Sequence, residues 1–401
     1  MLSIGNIGGA SAAASYYDRD DYYTRDELAP SMWFGQGADA MGLEGIVDKD
    51  AFESVLEGYV PGSNDRVGYE NDGNWIHRGG FDATFSAPKS VSILAEVGGD
   101  TRLVRAHDRA VEIALSKIER DLLQYRVKEA GGHRHERADN MIAAVYRHDL
   151  SRDLDPQLHS HAVIANMTQT ARGWRSLSTE RLFRHSKEVG VAYQQALALE
   201  VRALGYEVEQ RANGTFEIPG PASAVAVAFQ RRSDAIDAYL RTKRIDPALA
   251  TAEMRQKAVL ATRKSKRDVD RQSVHGDWVA RIGEAALEAL DQQQAHARQR
   301  VLQGEIEISA DELSGSADRV LAEAVAILSE RAARVSEEAV LAKANELAIG
   351  RTTAGHVLEA LKKAKETSGI YAVSVREPDP SSRSDVTKPG ITTREAQIAE
   401  G

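Results

Sequence analysis

Residues Arg147–Asn166 read RHDLSRDLDPQLHSHAVIAN. Two β-rich stretches, Asn140–His148 and Gln157–Met167, flank the turn-forming Asp149–Pro156, the pattern of an antiparallel hairpin with a longer loop. His159 and His161 are two apart, so in a strand both imidazoles point to one face. His148 closes the preceding strand, and an antiparallel return brings it beside them. Three neutral imidazoles on one face form a site for a divalent metal with open coordination positions. An isolated His-x-His reads more simply as two satisfied core or surface groups. The third histidine at hairpin range reverses that balance. Arg147 and Arg152 lie beside the cluster, which suits an anionic ligand on the metal.

Upstream, Met1–Ile7 reads as a short strand ended by Gly8-Gly9, and Ala10–Tyr17 as helix. Phe81–Phe85 is a strand broken by Ser86-Ala87-Pro88, with a helix from Ser90. Thr101–Val127 reads as one long amphipathic helix. Downstream, Lys187–Leu204 is helical, and Tyr206–Gln210 and Thr215–Pro219 form a hairpin around Asn213-Gly214. From Pro221 the pattern is mostly helical. It loses periodicity between Gln292 and Ser316, resumes as helices to Lys365, adds a strand at Ile370–Val375, and passes into a Pro/Ser/Asp-rich linker, Glu377–Gly390. Strands from separate regions with helices between them point to an α/β or α+β fold. The expected division is a domain over 1–295, a linker over 296–316, and a small mostly helical segment over 317–401, with a winged-helix-like element after about residue 320.

The chain carries 51 basic and 60 acidic side chains, a formal charge of -9. Alone, that argues against a nucleic-acid partner, whose phosphates are neutralised by Lys and Arg. The charge is uneven, however. The first eighty residues hold 5 basic and 14 acidic groups, whereas residues 81–190 hold 17 and 15 and residues 191–300 hold 17 and 14. The densest basic run, Arg241–Arg271, contains TRKSKR at Thr262–Arg267. By itself such a run reads as a solvated helix face, and phosphate contact is the second reading. No apolar stretch reaches the ~20 residues of a membrane span, and the N-terminus lacks a secretory signal pattern. With 0 cysteines there are no disulfides or thiolate metal sites, and the cytoplasm is the default compartment.

Ser15–Thr24 reads SYYDRDDYYT and holds Tyr16, Tyr17, Tyr22 and Tyr23. As a bare pattern this is an aromatic stripe. Beside a metal it suggests chemistry. A phenol with pKa near 10 is a weak nucleophile until a base or cation activates it, and a metal on a phosphate oxygen polarises the phosphorus.

The residues together resemble the N-terminal part of MobF-class conjugative relaxases, members of the His-hydrophobic-His endonuclease superfamily. Three ordered motifs carry the resemblance: the tyrosine doublets, GGFDATFSAPKSVS at Gly79–Ser92, and His148–Asn166. It extends through TRKSK to about residue 290. The SER at Ser329–Arg331 and ITTRE at Ile391–Glu395 look like the region between relaxase and helicase. The resemblance implies an α+β fold with a central antiparallel sheet flanked by helices, and a helical C-terminal flap over DNA. It implies Tyr16 as principal nucleophile, with Tyr17, Tyr22 and Tyr23 as companions. It implies His148, His159 and His161 as ligands of Mg²⁺ or Mn²⁺, and Asp82 as either base or partner to a metal histidine. The expected DNA contacts are Lys89, Arg152, Arg263, Lys264 and Lys266.

The implied activity is that of a plasmid conjugative relaxase: site- and strand-specific nicking of single-stranded DNA at the transfer origin, through a 5′-phosphotyrosine and a free 3′-OH, with rejoining after transfer. Implied partners are that DNA with an adjacent hairpin, relaxosome accessory proteins and a type IV coupling protein. The implied location is cytoplasmic, with export to the recipient cell on DNA. Two departures stand out. The spacer DRDD is one residue shorter than in some relatives, and Ser160 occupies the usually apolar place between the histidines. Ser160 is expected to point away from the metal with little consequence. No G-x-x-x-x-G-K-[ST] is present, so the chain reads as part of a longer relaxase–helicase. The rivals are a rolling-circle replication initiator, a non-catalytic origin-binding protein with a structural metal, and a metallohydrolase using water.

Overall fold

The computed structural model of the chain describes all residues except 11–12, 15–16, 18–30, 263–269, 307, 331, 368–369, 379–384 and 394–401. Five strands build the central sheet: β1 (Leu2–Asn6), β2 (Ser31–Phe34), β3 (Gly80–Ser86), β4 (Ala143–Leu150) and β5 (Pro156–Ala165), in spatial order β1-β3-β5-β4-β2. Every neighbouring pair is antiparallel. The α+β reading of the sequence therefore stands.

Register fixes what each face carries. His148 lies opposite His159, and Tyr146 and Thr84 lie on either side of His161. Alternation then places Asp82, Thr84, Tyr146 and the three histidines on one face. Ala83, Phe85, Arg147, Ser160 and Ala162 belong to the other. The first face continues away from the histidines into a core of Tyr17, Trp33, Phe52, Tyr146 and Val163. Glycine matters at the start of β3. A Cβ on Gly80 would lie 2.2 Å from the Ile164 carbonyl oxygen, so only glycine lets β3 reach β5 there.

The opposite face is covered by helix α1 (Thr101–Asp121), started by the Asp100 carboxylate accepting from the Arg102 amide. Its buried stripe, Leu103, His107, Ala110, Val111, Ala114 and Ile118, has helical spacing. The helix expected to run to Val127 stops at Asp121. Gln124–Glu129 and Gly132–Arg137 pair instead as a hairpin, turning at Gly131 with φ 94°. The turn signal is Gly131-Gly132, and Tyr125 and Val127 alternate with charged residues ahead of it.

The loop joining β4 to β5 is tightly tied. Ser151 Oγ accepts from the Asp153 and Asp155 amides. Leu154 adopts φ 62°, and its carbonyl accepts from Trp278 Nε1 at 2.7 Å. The Asp155 carboxylate, 1% exposed, accepts from Arg281 at 2.9 Å and from the Arg231 amide at 3.1 Å. Trp278 and Arg281 come from helix α2 (Arg271–Ile282), so the helical segment after Pro221 pins the loop that connects the histidine strands.

The chain forms two compact units: Met1–Ser186 with Glu217–Ala297, and Lys187–Phe216 with Arg298–Gly401. This differs from the expected division, since Lys187–Phe216 belongs with the C-terminal unit. The expected linker is also mostly helix: one helix spans Glu284–Leu302 and the next begins at Ala310. In the second unit, helix Ala310–Ser329, strand Val335–Ser336, helices Glu337–Leu347 and Ala354–Thr367, and the strands Ile370–Pro378 and Asp385–Thr393 follow one another, with Asp385–Thr393 between the other two strands in the sheet. Val320, Leu321, Val340, Val357, Leu361 and Ile391 form its core. The expected linker at Glu377–Gly390 is therefore partly strand, paired with Ile370–Pro378.

Candidate metal and tyrosine site

The three histidines meet as their strands require. Their ring centroids lie 5.2 Å (His148–His159), 5.0 Å (His148–His161) and 5.3 Å (His159–His161) apart. One nitrogen from each lies within 4.8 Å of the others. Two of the rings are oriented from behind. His159 Nδ1 donates to the Gln157 carbonyl at 2.8 Å. His161 Nδ1 donates to the Asp82 carboxylate, 2.8 Å from Oδ2 and 3.0 Å from Oδ1. In a neutral imidazole this leaves Nε2 with the lone pair, the tautomer a metal requires. The donor set therefore fits a divalent metal ion, and no other group of this kind occurs among the described residues.

Asp82 gathers further partners. Tyr17 Oη donates to Oδ2 at 2.9 Å, and Thr84 Oγ1 donates to Oδ1 at 3.2 Å. Burial pushes the carboxyl up, but hydrogen bonds from His161, Tyr17 and Thr84 outweigh it and hold the group below the usual carboxylate value. Asp82 is therefore ionised at neutral pH. Tyr17, 4% exposed, stacks on Tyr146 with centroids 5.1 Å apart and interplanar angle 18°, and sits 5.4 Å from the His161 ring. A continuous chain thus runs from the Tyr17 hydroxyl through Asp82 to His161.

Thr84 was not singled out by the sequence reading, although it is two residues from Asp82 on the same strand face. Arg147 is a correction. It was expected beside an anion on the metal, but its guanidinium lies on the opposite face and pairs with Asp108 at 2.6 Å. Alternation along β4 explains this, because Arg147 adjoins His148 in sequence and must point the other way. Lys89 Nζ donates to the Pro156 carbonyl at 3.0 Å, at the start of β5. Burial lowers its pKa, opposed by Asp155 and Glu217. Arg152 is half-buried in the loop between β4 and β5. Tyr16, Tyr22, Tyr23, Arg263, Lys264 and Lys266 lie outside the described residues.

Comparison with known proteins bears on this geometry. Residues 10–285 match the TrwC relaxase family. The chain is 39% identical over 299 residues to the multifunctional conjugation protein TraI of Escherichia coli, covering 72% of this chain and 16% of TraI. It therefore spans about one sixth of that relative's length. Among solved structures, conjugative relaxase TrwC in complex with oriT DNA, metal-free, superposes with a TM-score of 0.64 at 34% identity, covering 72% of this chain and 99% of the other. A metal-bound TrwC–oriT complex gives the same TM-score of 0.64 at 34% identity, over 72% of this chain and 98% of that one. TrwC with a 27-mer DNA comprising the recognition hairpin and cleavage site matches at 33% identity and TM-score 0.64, over 72% of this chain and 99% of the other.

Proposed function

The chain belongs to the TrwC relaxase family, and on that premise we propose that it nicks and rejoins single-stranded DNA at a transfer origin by tyrosine transesterification. The observation that carries the proposal is the Tyr17–Asp82–His161 hydrogen-bond chain, which links the tyrosine segment to the histidine triad. A divalent cation, Mg²⁺ or Mn²⁺, would be held by His148, His159 and His161 and would draw charge from an oxygen of the scissile phosphate. Asp82 and the Gln157 carbonyl keep two of these imidazoles in the ligating tautomer. Tyr16 is the proposed nucleophile. Its oxygen bonds to phosphorus as the bond to the 3′ oxygen breaks, and the departing oxygen takes up a proton as a free 3′-OH. Asp82, ionised and hydrogen-bonded to Tyr17, the neighbour of Tyr16 in sequence, is the proposed acceptor for the phenolic proton. One phosphoester replaces another, so the 3′-OH can later attack the phosphotyrosine and rejoin the strand.

Tyr22 and Tyr23 are proposed for a second transfer. Lys89, Arg152, Arg263, Lys264 and Lys266 are proposed to contact DNA. Relaxosome accessory proteins and a type IV coupling protein are the proposed partners, with action in the cytoplasm and passage to the recipient on DNA. Among the described residues no helix is long and apolar enough to cross a membrane.

A second reading has its own support. Tyr17 already donates to the carboxylate that a nucleophile would need, so Tyr17 itself could be the attacking residue. Incubating the chain with Mn²⁺ and single-stranded DNA of its own transfer origin separates the two. Loss of the covalent adduct in Tyr16→Phe with retention in Tyr17→Phe supports the first reading, and the reverse pattern supports the second. Cleavage by water, leaving no adduct in the wild type, would defeat both.

A further inference from the structure

Behind the histidines, on the face of the sheet covered by α1, lies a polar network in an otherwise apolar layer. His107, 0% exposed, places Nε2 2.8 Å from the hydroxyl of Ser160, also 0% exposed. The next residue of α1, Asp108, pairs with Arg147 at 2.6 Å. On the same sheet face Ala83, Phe85 and Ala162 are buried, as are Ala110 and Val111 of the α1 stripe. Removing both members of a buried hydrogen-bonded pair and substituting apolar groups is often nearly neutral for stability. Stability alone therefore gives little reason for a serine and a histidine there.

The placement gives a better one. Arg147 and Ser160 are direct cross-strand partners. Arg147 immediately precedes His148, and Ser160 lies between His159 and His161. Two consecutive residues of one helix thus grip the paired backbone positions adjacent to all three metal-binding side chains. Burial keeps the His107 imidazole neutral, with its pKa well below the usual value, so it acts through hydrogen-bond geometry.

We propose that His107 and Asp108 are positioning residues for the metal site, with α1 setting the relative placement of His148, His159 and His161 through Ser160 and Arg147. This rests on the reading of the triad as a metal site. It also gives Ser160 a consequence that the sequence did not suggest: the residue does point away from the metal, but onto a buried partner.

The test is Mn²⁺ titration of the folded chain without DNA, by calorimetry, alongside urea unfolding. His107→Leu, Ser160→Ala and Asp108→Asn should each weaken Mn²⁺ binding by roughly tenfold, the low end of the effect of groups that support metal histidines. The effects of His107→Leu and Ser160→Ala should not add in the double variant, because they remove one interaction. Ser160→Thr, which keeps the hydroxyl, should restore most of the affinity. A purely structural role would lower the urea midpoint and leave the Mn²⁺ affinity of the folded protein within twofold of wild type, and that result overturns the proposal. Should His107→Leu fail to fold, Ser160→Ala and Asp108→Asn decide it by the same criterion. Mn²⁺ binding by wild type that His159→Ala leaves undiminished would instead overturn the metal-site reading, and the proposal with it.

Discussion

Replacing Asp82 with asparagine changes one oxygen into an amide nitrogen at the junction between the tyrosine segment and the histidines. The carboxylate now accepts from His161 Nδ1 at 2.8 Å, Tyr17 Oη at 2.9 Å and Thr84 Oγ1 at 3.2 Å. An asparagine keeps one acceptor oxygen and turns two N–H donors toward the rest. If the oxygen serves Tyr17, His161 faces a donor. Its neutral ring then favours the other tautomer, which puts the proton on Nε2 where the metal needs a lone pair. The lost bond involves a charged acceptor, worth about 1.5–3 kcal/mol. At about 1.4 kcal/mol per factor of ten, Mn²⁺ affinity should fall roughly 10- to 100-fold. Calorimetric titration at pH 7.5 measures it, with urea unfolding as a control for the fold. The wild-type carboxyl lies below its ordinary value. Its contribution to stability is therefore present above the unfolded value near 3.9 and is lost as pH falls through the lower folded value. Asp82→Asn should lack that acid-dependent component. A variant that binds Mn²⁺ within twofold of wild type would refute the tautomer argument.

Tyr17→Phe keeps the stacked ring and deletes a hydroxyl that donates to an ionised carboxylate, so urea unfolding should show a loss of about 1.5–3 kcal/mol, the range for a hydrogen bond to a charged group; an unchanged midpoint would mean that the bond to Asp82 contributes nothing. Gly80→Ala places a Cβ 2.2 Å from the Ile164 carbonyl oxygen, and should destabilise by about 1–3 kcal/mol as β3 is pushed from β5; full retention of stability would show that the strands can part at no cost. The His77 ring has both nitrogens buried without hydrogen bonds, and burial, with Arg66 nearby, lowers its pKa to about 4. A base with a depressed folded pKa contributes stability that is present above its unfolded value near 6.5 and lost as pH falls toward 4. Unfolding of wild type and His77→Phe compared between pH 7 and pH 4 should show the wild type losing more, and parallel curves would contradict this.

The hairpin that carries the metal site was legible because its signals are local. Alternation decides which face a side chain takes, and the loop composition of Asp149–Pro156 decides where the strands reverse. His148, His159 and His161 meet for those reasons alone. The same rule, applied to Arg147, would have sent it to the opposite face. What stayed hidden depends on packing between distant segments. Nothing local says that His107 faces Ser160, 53 residues away. The one available clue was a histidine inside the apolar stripe of α1. Helical periodicity continues past Asp121 as far as Val127, but the glycine turn at Gly131-Gly132 makes Gln124–Glu129 a strand instead. The joining of Lys187–Phe216 to the C-terminal unit is likewise a matter of long-range contact. Hydrogen bonds from Gln195 to Asn345 and from Arg202 to the Gly350 carbonyl, which span about 150 residues, leave no trace in local pattern.

The central claim is that a tyrosine, not water, attacks the DNA phosphate beside the histidine triad. The most direct measurement is peptide mass spectrometry of the chain after reaction with Mn²⁺ and the cognate single strand. The expected result is a nucleotide attached through a 5′-phosphate to Tyr16, a free 3′-OH on the released strand, and no adduct in His159→Ala. Cleaved DNA bearing a free 5′-phosphate, with every tyrosine unmodified, would contradict it.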